Sequence, residues 1–541
     1  MDSSRSGART RRVWHNALLL RLLFCVVSAM ICSTQSLMHA QEYRIGTGKG
    51  DITGPAAEIE VIQQLQSKYN GIYTEQNVVL HATHTHAGPG GSSAYVLYDF
   101  CILGFVNETF DVIVSGILAA IDEAHNSLAP GTIRFSKGEI KDGGKNRSPE
   151  AYNANPHEER TKYASDHDTD LRLLQFHNAS DTLIGLLAFY PVHPTSLTKK
   201  NKLISGDNKG YAEFLLENQF PSLTAGIGIS NAGDVSPNLI DNGDGTFQGE
   251  GATDLESAEI IGQRQADKVL VTGSVLGRLS YVDFSNVTLH NKRPTEQEPY
   301  AHRTCPGLLG QNFGAGTEDG RAFPNLREGD LTPNTIFRSL SHLVKATPDW
   351  LQQCHMTNKV PMLVTGLMAP YKWTPEILPV QVIKIGQLAL AVTNFEVTTM
   401  AGRRLRETLH NALGHVGVKE VEVAAMSNAY AQYITTKEEY ALQHYEGAST
   451  FFQPPVIMDS AGWGKRFGDV RVDAAPTHNG KFATLLTDSH WDVRFRWHRT
   501  GLTESTSHLM GAVHAYEGVS SSFFVGAQAS ATMNETTVCL E

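Results

Sequence analysis

Short apolar runs that stop abruptly at polar loops, each leading into a helical period, recur along this chain. Residues 183–190 (LIGLLAFY) end in Pro191-Val192-His193-Pro194, and a turn at 205–211 then opens a helix. The stretch 227–238 (IGISNAGDVSPN) sets Asp234 and Ser236 in a Gly/Pro-bounded loop directly after a strand. The run 383–395 reads as one strand with Glu396 at its end, ahead of a helix that begins near Met400 and buries Leu405, Leu409 and Leu413. A strand over 421–425 is followed by NAYAQY (428–433) and a helix over 435–445. Apolar, β-branched runs bounded by turn formers are buried strands. Strands alternating with helices predict an α/β domain with mixed sheets and covering helices. Such folds bind ligands at strand ends, which is where the polar residues of this chain gather.

The densest of these loops is residues 77–91, NVVLHATHTHAGPGG, and three of the chain's 22 histidines fall within 80–87. As a strand entering a Gly/Pro loop, its period of two puts His84 and His86 on one face and Thr83 and Thr85 on the other. Two imidazoles at a strand mouth suit a metal or paired acid–base work; the plain alternative is a pair of surface histidines in a turn. Around it, the sequence predicts a short strand and a structural Gly-rich turn over 43–55, helices over 61–69, 110–128 and 255–270, a polar irregular loop over 145–160, and a loop-rich region over 290–350. Gly46, Gly48 and Gly50 match neither dinucleotide nor P-loop spacing, and the G-x-S-x-G elbow is absent.

A net charge of −11 with no long basic run excludes a nucleic-acid partner. Arg5, Arg9, Arg11 and Arg12 precede an apolar run over 17–31, with small residues near Ala40; residues 1–40 read as a removed signal peptide, with a signal anchor as the alternative. The sequons at Asn107, Asn178, Asn286 and Asn534 fit a secreted or lumenal glycoprotein. Past the leader, Cys101, Cys305, Cys354 and Cys539 allow at most two disulfides, and Cys305–Cys354 is the preferred pair. Trp491, Val493, Phe495 and Trp497 alternate with Asp492, Arg494 and Arg496, a strand of all-β character. A boundary near Gly464 therefore separates residues 41–463 from a sandwich-like module over 464–541. No amphipathic membrane-binding helix stands out.

Seven collinear segments resemble the neutral ceramidase family: ATHTHAGPGG (82–91), NRSPEAY (146–152), FYPVHPTSL (189–197), SGDNKGYA (205–212), NAGDVSPN (231–238), EVTTMAGRRLRE (396–407) and NAYAQYITTKEEY (428–440). The resemblance implies zinc-dependent hydrolysis of the ceramide amide to sphingosine and a fatty acid, at a membrane or lipid surface. It implies one zinc ion on His84, His193, Glu396 and Tyr433, with His86 beside it as a proton-handling or oxyanion-stabilising group. Arg147 and Tyr445 would line the site, and Ser236 would match the family's essential serine, as nucleophile or as positioning group. Attack by zinc-activated water is the favoured route. The family also implies that the C-terminal module over 464–541 is an immunoglobulin-like β-sandwich, here in truncated form.

The chain departs from the family between Pro55 and Val61, where a block carrying a core strand is missing, and again after Phe452. A lost core strand exposes its neighbours and leaves backbone groups unpaired. Two alternatives therefore stand beside ceramide hydrolysis. One is a zinc hydrolase of another amide or ester, and the other is an inactive secreted lipid-binding homologue.

Overall fold

Two mixed sheets carry the longer strands, and each ends in one parallel pair. A computed structural model describes residues 43–50, 58–452 and 521–528, with breaks at 94, 100–101, 103, 267–274, 288–299, 301–302, 324 and 357. The first sheet sets β1 (Tyr43–Gly50), β2 (Ala129–Glu139), β3 (Asp170–Asn178), β4 (Leu183–Tyr190) and β5 (Thr224–Ile229) side by side in that order. Its neighbours are antiparallel except β4 and β5. The second sheet holds β6 (Val275–Asp283), β7 (Ile377–Ile385), β8 (Leu388–Val392) and β9 (Glu420–Ala424), antiparallel until the parallel pair β8–β9. A tenth strand, β10 (Ser521–Gln528), adds antiparallel to β1.

The helices include, in chain order, α1 (Glu58–Lys68), α2 (Asn107–Asn126), α3 (Asp207–Gln219), α4 (Asp254–Ala266), α5 (Thr335–Val344), α6 (Thr399–Leu413), α7 (Lys437–Leu442) and α8 (Tyr445–Ser449), beside shorter ones. A parallel pair needs a crossover, and α3 supplies it for β4–β5 as α6 does for β8–β9. Alternate residues of each strand feed different cores. Leu174, Phe176, Leu187 and Phe189 meet Ile383, Leu388, Leu390 and Val392 between the sheets. The intervening Leu173, Leu186 and Ala188 belong with Ala212 and Leu216 of α3, while Ala389, Ala391 and Val423 belong with Leu405 and Leu409 of α6. Strands buried on both faces read as unbroken apolar runs, which is why residues 183–190 were so clear in the sequence.

The sequence reading needs correcting at three places here. Residues 383–395 are not one strand: the chain turns at Gly386, whose φ is 59°, so that β7 and β8 form a hairpin. Gly46 and Gly48 lie inside β1 rather than in a turn, and a Cβ on either would run into the carbonyl oxygens of Ala124 or Ala120 in α2. The helix expected over 435–445 breaks at Gln443, which is left-handed, and restarts at Tyr445. The disulfide joins Cys305 to Cys354, with Cα atoms 6.3 Å apart. Residues 1–40 and the boundary near Gly464 lie outside the described residues, as does the Trp491–Trp497 strand.

Candidate active site

Segments leaving the carboxyl ends of both parallel pairs converge. His193 follows β4, Ser236 follows β5, Glu396 follows β8 and Tyr433 follows β9. The histidine-rich segment crosses between them. His81 bridges Ser427 beyond β9, the Asn428 amide donates to the Leu80 carbonyl at 2.9 Å, and the Ile229 amide at the end of β5 donates to that of Ala82 at 3.0 Å. Gly228 leaves room for the His81 ring, since a Cβ there would collide with it. Further on, the Ser205 amide donates to Ala87 O at 3.0 Å and Thr85 Oγ1 donates to Ser205 O at 2.6 Å.

This segment is not a strand. Its one bridge is at His81, and His84 is left-handed with φ of 70°, a conformation unusual for a residue with a side chain. The kink, not a period of two, brings His84 Nε2 and His86 Nε2 to 3.0 Å of each other. His193, fully buried, completes a group in which one nitrogen from each of the three rings lies within 4.8 Å of the others. Glu396 faces two of them, its Oε2 lying 3.0 Å from His193 Nε2 and 3.3 Å from His84 Nε2.

The protonation pattern shows what this group is built to hold. His193 Nδ1 sits 3.1 Å from Val235 O, a contact that places its proton there and leaves Nε2 with an unshared pair. Burial and the nearby Arg147 charge keep this imidazole below its usual range, although Glu396 pulls the other way. Burial alone would raise the Glu396 carboxyl, but it falls well below the carboxylate range where His84 and His193 turn protons toward it. Two lone-pair acceptors thus point at each other across 3.0 Å, which is favourable only with a cation or a proton between them. A buried set of imidazole nitrogens and a carboxylate fits zinc or a similar divalent metal. The Val235 contact is the kind of outer hydrogen bond that orients a ligating histidine.

Residues 145–160, expected as a polar irregular loop, are instead partly ordered and buried. Lys145–Asn146 pairs with Val235–Ser236, short helices span Pro149–Asn153 and His157–Arg160, and Asn146, Arg147 and Ser148 are buried. Arg147 fixes its guanidinium on four acceptors: Glu446 Oε1 at 3.0 Å, Gly233 O at 2.8 Å, Tyr433 Oη at 3.0 Å and Asp319 Oδ2 at 3.4 Å. Tyr445, at the start of α8, lies edge-on to Tyr433 at 5.6 Å and stacks on Phe313 at 5.6 Å. Burial and Glu396 raise both phenols, so Tyr445 keeps its proton at neutral pH.

Ser236, fully buried, donates from Oγ to Asp319 Oδ1 and accepts the Asn238 amide at 3.0 Å. Asn238 Nδ2 donates to the same Asp319 oxygen at 2.9 Å. Ser236 therefore reaches the histidine–glutamate group through Asp319, Arg147 and Tyr433. Asp234 accepts Thr399 N at 2.7 Å and Thr399 Oγ1 at 2.8 Å, tying the serine loop to the start of α6. Burial and Glu439 push its carboxyl up to about 8 against those bonds. The structure brings together His84, His86, His193, Glu396, Tyr433, Arg147, Tyr445 and Ser236, all singled out from the sequence. Sequence reasoning missed Asp319, Glu446 and Tyr430, whose Oη donates to Glu396 Oε1 at 2.6 Å.

The profile of the family described as "Neutral/alkaline non-lysosomal ceramidase, N-terminal" matches residues 58–457. The neutral ceramidase of Pseudomonas aeruginosa is 31% identical, covering 91% of this chain and 92% of its own length. That alignment runs over 633 residues, longer than this chain of 541, so the relative carries segments that this chain lacks. The neutral ceramidase of Drosophila melanogaster is 33% identical over 81% of this chain and 75% of its own. Among solved structures, one described as "Ceramidase complexed with C2" superposes with a TM-score of 0.68 at 33% identity, covering 79% of this chain and 74% of that one. The crystal structure of the Pseudomonas aeruginosa neutral ceramidase gives 0.65 at 32% identity, covering 78% and 72%.

Proposed function

The chain belongs to the neutral/alkaline non-lysosomal ceramidase family of ceramide-hydrolysing enzymes, and from that premise we propose that it cleaves the ceramide amide to sphingosine and a fatty acid with one zinc ion on His84, His193, Glu396 and Tyr433. The observation that carries this reading is the pair of acceptors, His193 Nε2 and Glu396 Oε2, facing each other at 3.0 Å. When bound, zinc supplies Lewis-acid polarisation of the carbonyl and lowers the pKa of water to about 7.

The remaining work falls to the side chains. Arg147, held rigid by Glu446 and Asp319, presents fixed positive charge where the amide carbonyl becomes an oxyanion. Tyr445 retains the proton needed to stabilise that oxygen. His86 is exposed at the mouth, yet the protein packed round its ring and the neighbouring His84 and His193 hold it well below the usual imidazole range. In its neutral form it accepts a proton and passes it to the leaving amine. Ser236 positions the substrate through an oxygen fixed on both sides. Its hydrogen bond to Asp319 favours a second reading, in which Asp319 takes the Ser236 proton as Oγ attacks the carbonyl. An acyl group trapped on Ser236 and found by mass spectrometry decides for that reading.

Secretory passage is part of the same proposal, as is the division into 1–40, 41–463 and 464–541. Asn107 and Asn286 are exposed and available for glycosylation, and no helix among the described residues is long and apolar enough to cross a membrane. Metal analysis tests the zinc assignment independently of turnover. The purified chain should hold one zinc, and His193→Ala and Glu396→Gln should lose it while remaining folded by circular dichroism. Equal zinc in all three proteins overturns the ligand set.

A further inference from the structure

We propose that Tyr430 is a positioning residue for the metal: its hydroxyl clamps one oxygen of Glu396, so that the carboxylate meets zinc through the other oxygen alone. The proposal rests on the zinc reading above. The two oxygens of Glu396 face different neighbours. Oε2 lies 3.0 Å from His193 Nε2 and 3.3 Å from His84 Nε2, the side on which a metal would be held. Oε1 accepts the Tyr430 hydroxyl at 2.6 Å, the short distance of a charge-assisted bond. An ionised carboxylate only accepts, so the direction of this bond is fixed. Tyr433 also reaches Glu396, but its hydroxyl accepts Arg147 Nη2 at 3.0 Å and is held toward the charged side of the site. The two phenols are therefore not interchangeable.

The backbone over 426–433 is bent to this end. Met426, Asn428 and Gln432 are left-handed, with φ of 50°, 67° and 63°, a conformation that only asparagine among them takes readily. Bonds from several sides hold the bend. Asn428 Oδ1 accepts the Leu80 amide at 2.9 Å, Asn428 Nδ2 donates to Gln381 Oε1 at 3.1 Å, and the Ala431 amide donates to Asn394 O at 3.0 Å. The Glu396 amide in turn donates to Gln432 O at 2.9 Å, so the carboxylate and the phenol that clamps it hang from one bonded unit. Tyr98 closes the far side, its ring 5.1 Å from that of Tyr430 and its hydroxyl donating to Tyr430 O at 3.1 Å. Phenylalanine would pack in this half-buried place as well as tyrosine does; what the loop aims is the hydroxyl. An outer hydrogen bond of this kind sets the orientation of a ligating carboxylate and the lone pair it offers.

The test is titration of zinc into the chelated full chain against a competing chelator, for wild type, Tyr430→Phe and Tyr98→Phe, with melting temperatures taken before and after zinc. Tyr430→Phe keeps the ring and should weaken zinc binding by roughly 10- to 100-fold. Its melting temperature without zinc should match the wild type, and its rise on adding zinc should be smaller. Tyr98→Phe removes a neighbouring hydroxyl that donates to backbone, and should bind zinc as the wild type does. Cobalt in place of zinc gives a spectroscopic signature. A carboxylate freed to bind through both oxygens raises the coordination number, which weakens the visible absorption of the ion in Tyr430→Phe. Zinc bound alike by wild type and Tyr430→Phe overturns the proposal, and an unchanged cobalt spectrum overturns the single-oxygen contact. An equal loss in both tyrosine variants, or a fall in the zinc-free melting temperature of Tyr430→Phe, would make Tyr430 a packing residue instead. A wild type that takes up no zinc overturns the ligand set beneath the proposal as well, which separates the two failures.

Discussion

Asp319 decides what Ser236 can do. With the serine hydrogen on its Oδ1 and the Arg147 guanidinium 3.4 Å from its Oδ2, it couples the serine to the charged side of the site. Asp319→Asn keeps the shape but removes the charge. We expect kcat to fall by about a hundredfold with little change in KM, and zinc content to stay at the wild-type level. Loss of zinc together with activity would make Asp319 structural. The histidines, Glu396 and Ser236 were legible because each stops an apolar run in a matching motif. The geometry of His84 was not, since a left-handed backbone leaves no mark on a sequence of alternating Thr and His. Asp319 and Glu446 were missed for a different reason: acidic residues beside glycine are ordinary in surface loops, and only the fold carries these to Arg147.

Helix α6 holds the second sheet to the site loops through one buried carboxylate. Asp168 accepts Arg403 Nε at 2.7 Å and Asn231 Nδ2 at 3.0 Å, and it also pairs with Arg406. Burial works to raise this carboxyl, but the two guanidinium groups prevail and hold it well below the carboxylate range. A folded pKa depressed below the unfolded value of about 4 gives stability that is complete above that pH and is lost as pH falls through the folded value. Asp168→Ala should lower stability by about 3–5 kcal/mol, since it leaves buried Arg403 and half-buried Arg406 without their shared carboxylate, and should flatten the acid side of a plot of Tm against pH. An unchanged acid limb would show that the pair contributes nothing. At this scale the sequence told much. The doubly buried strands and the helices α1 and α2 were read nearly to their ends, whereas the β7–β8 hairpin was hidden because Gly386 alone interrupts a long apolar run. Helix α5 lies within residues 290–350, which read as loop-rich from the sequence although Ile336, Leu340, Leu343 and Val344 keep a helical spacing, because the Pro, Gly and Asn residues around it dominate that stretch.

Across the whole molecule, two sheets each deliver a parallel pair to one place, and residues 77–91 stitch those ends together. The distribution of chemistry follows from that plan, with His193 and Ser236 coming from the first sheet and Glu396 and Tyr433 from the second. Segments carried by relatives are missing from this chain, yet the site is assembled, because its residues hang on the strands that remain. The most direct measurement is hydrolysis of a long-chain ceramide by the purified protein, before and after chelation and after zinc is restored, with a water-soluble amide as comparison. The expected result is release of sphingosine that stops on chelation, returns with zinc and greatly exceeds turnover of the soluble amide. Turnover indifferent to chelation would contradict the zinc site. Preference for the soluble amide would contradict the ceramide assignment, and no turnover by folded, zinc-loaded protein would mark an inactive lipid binder.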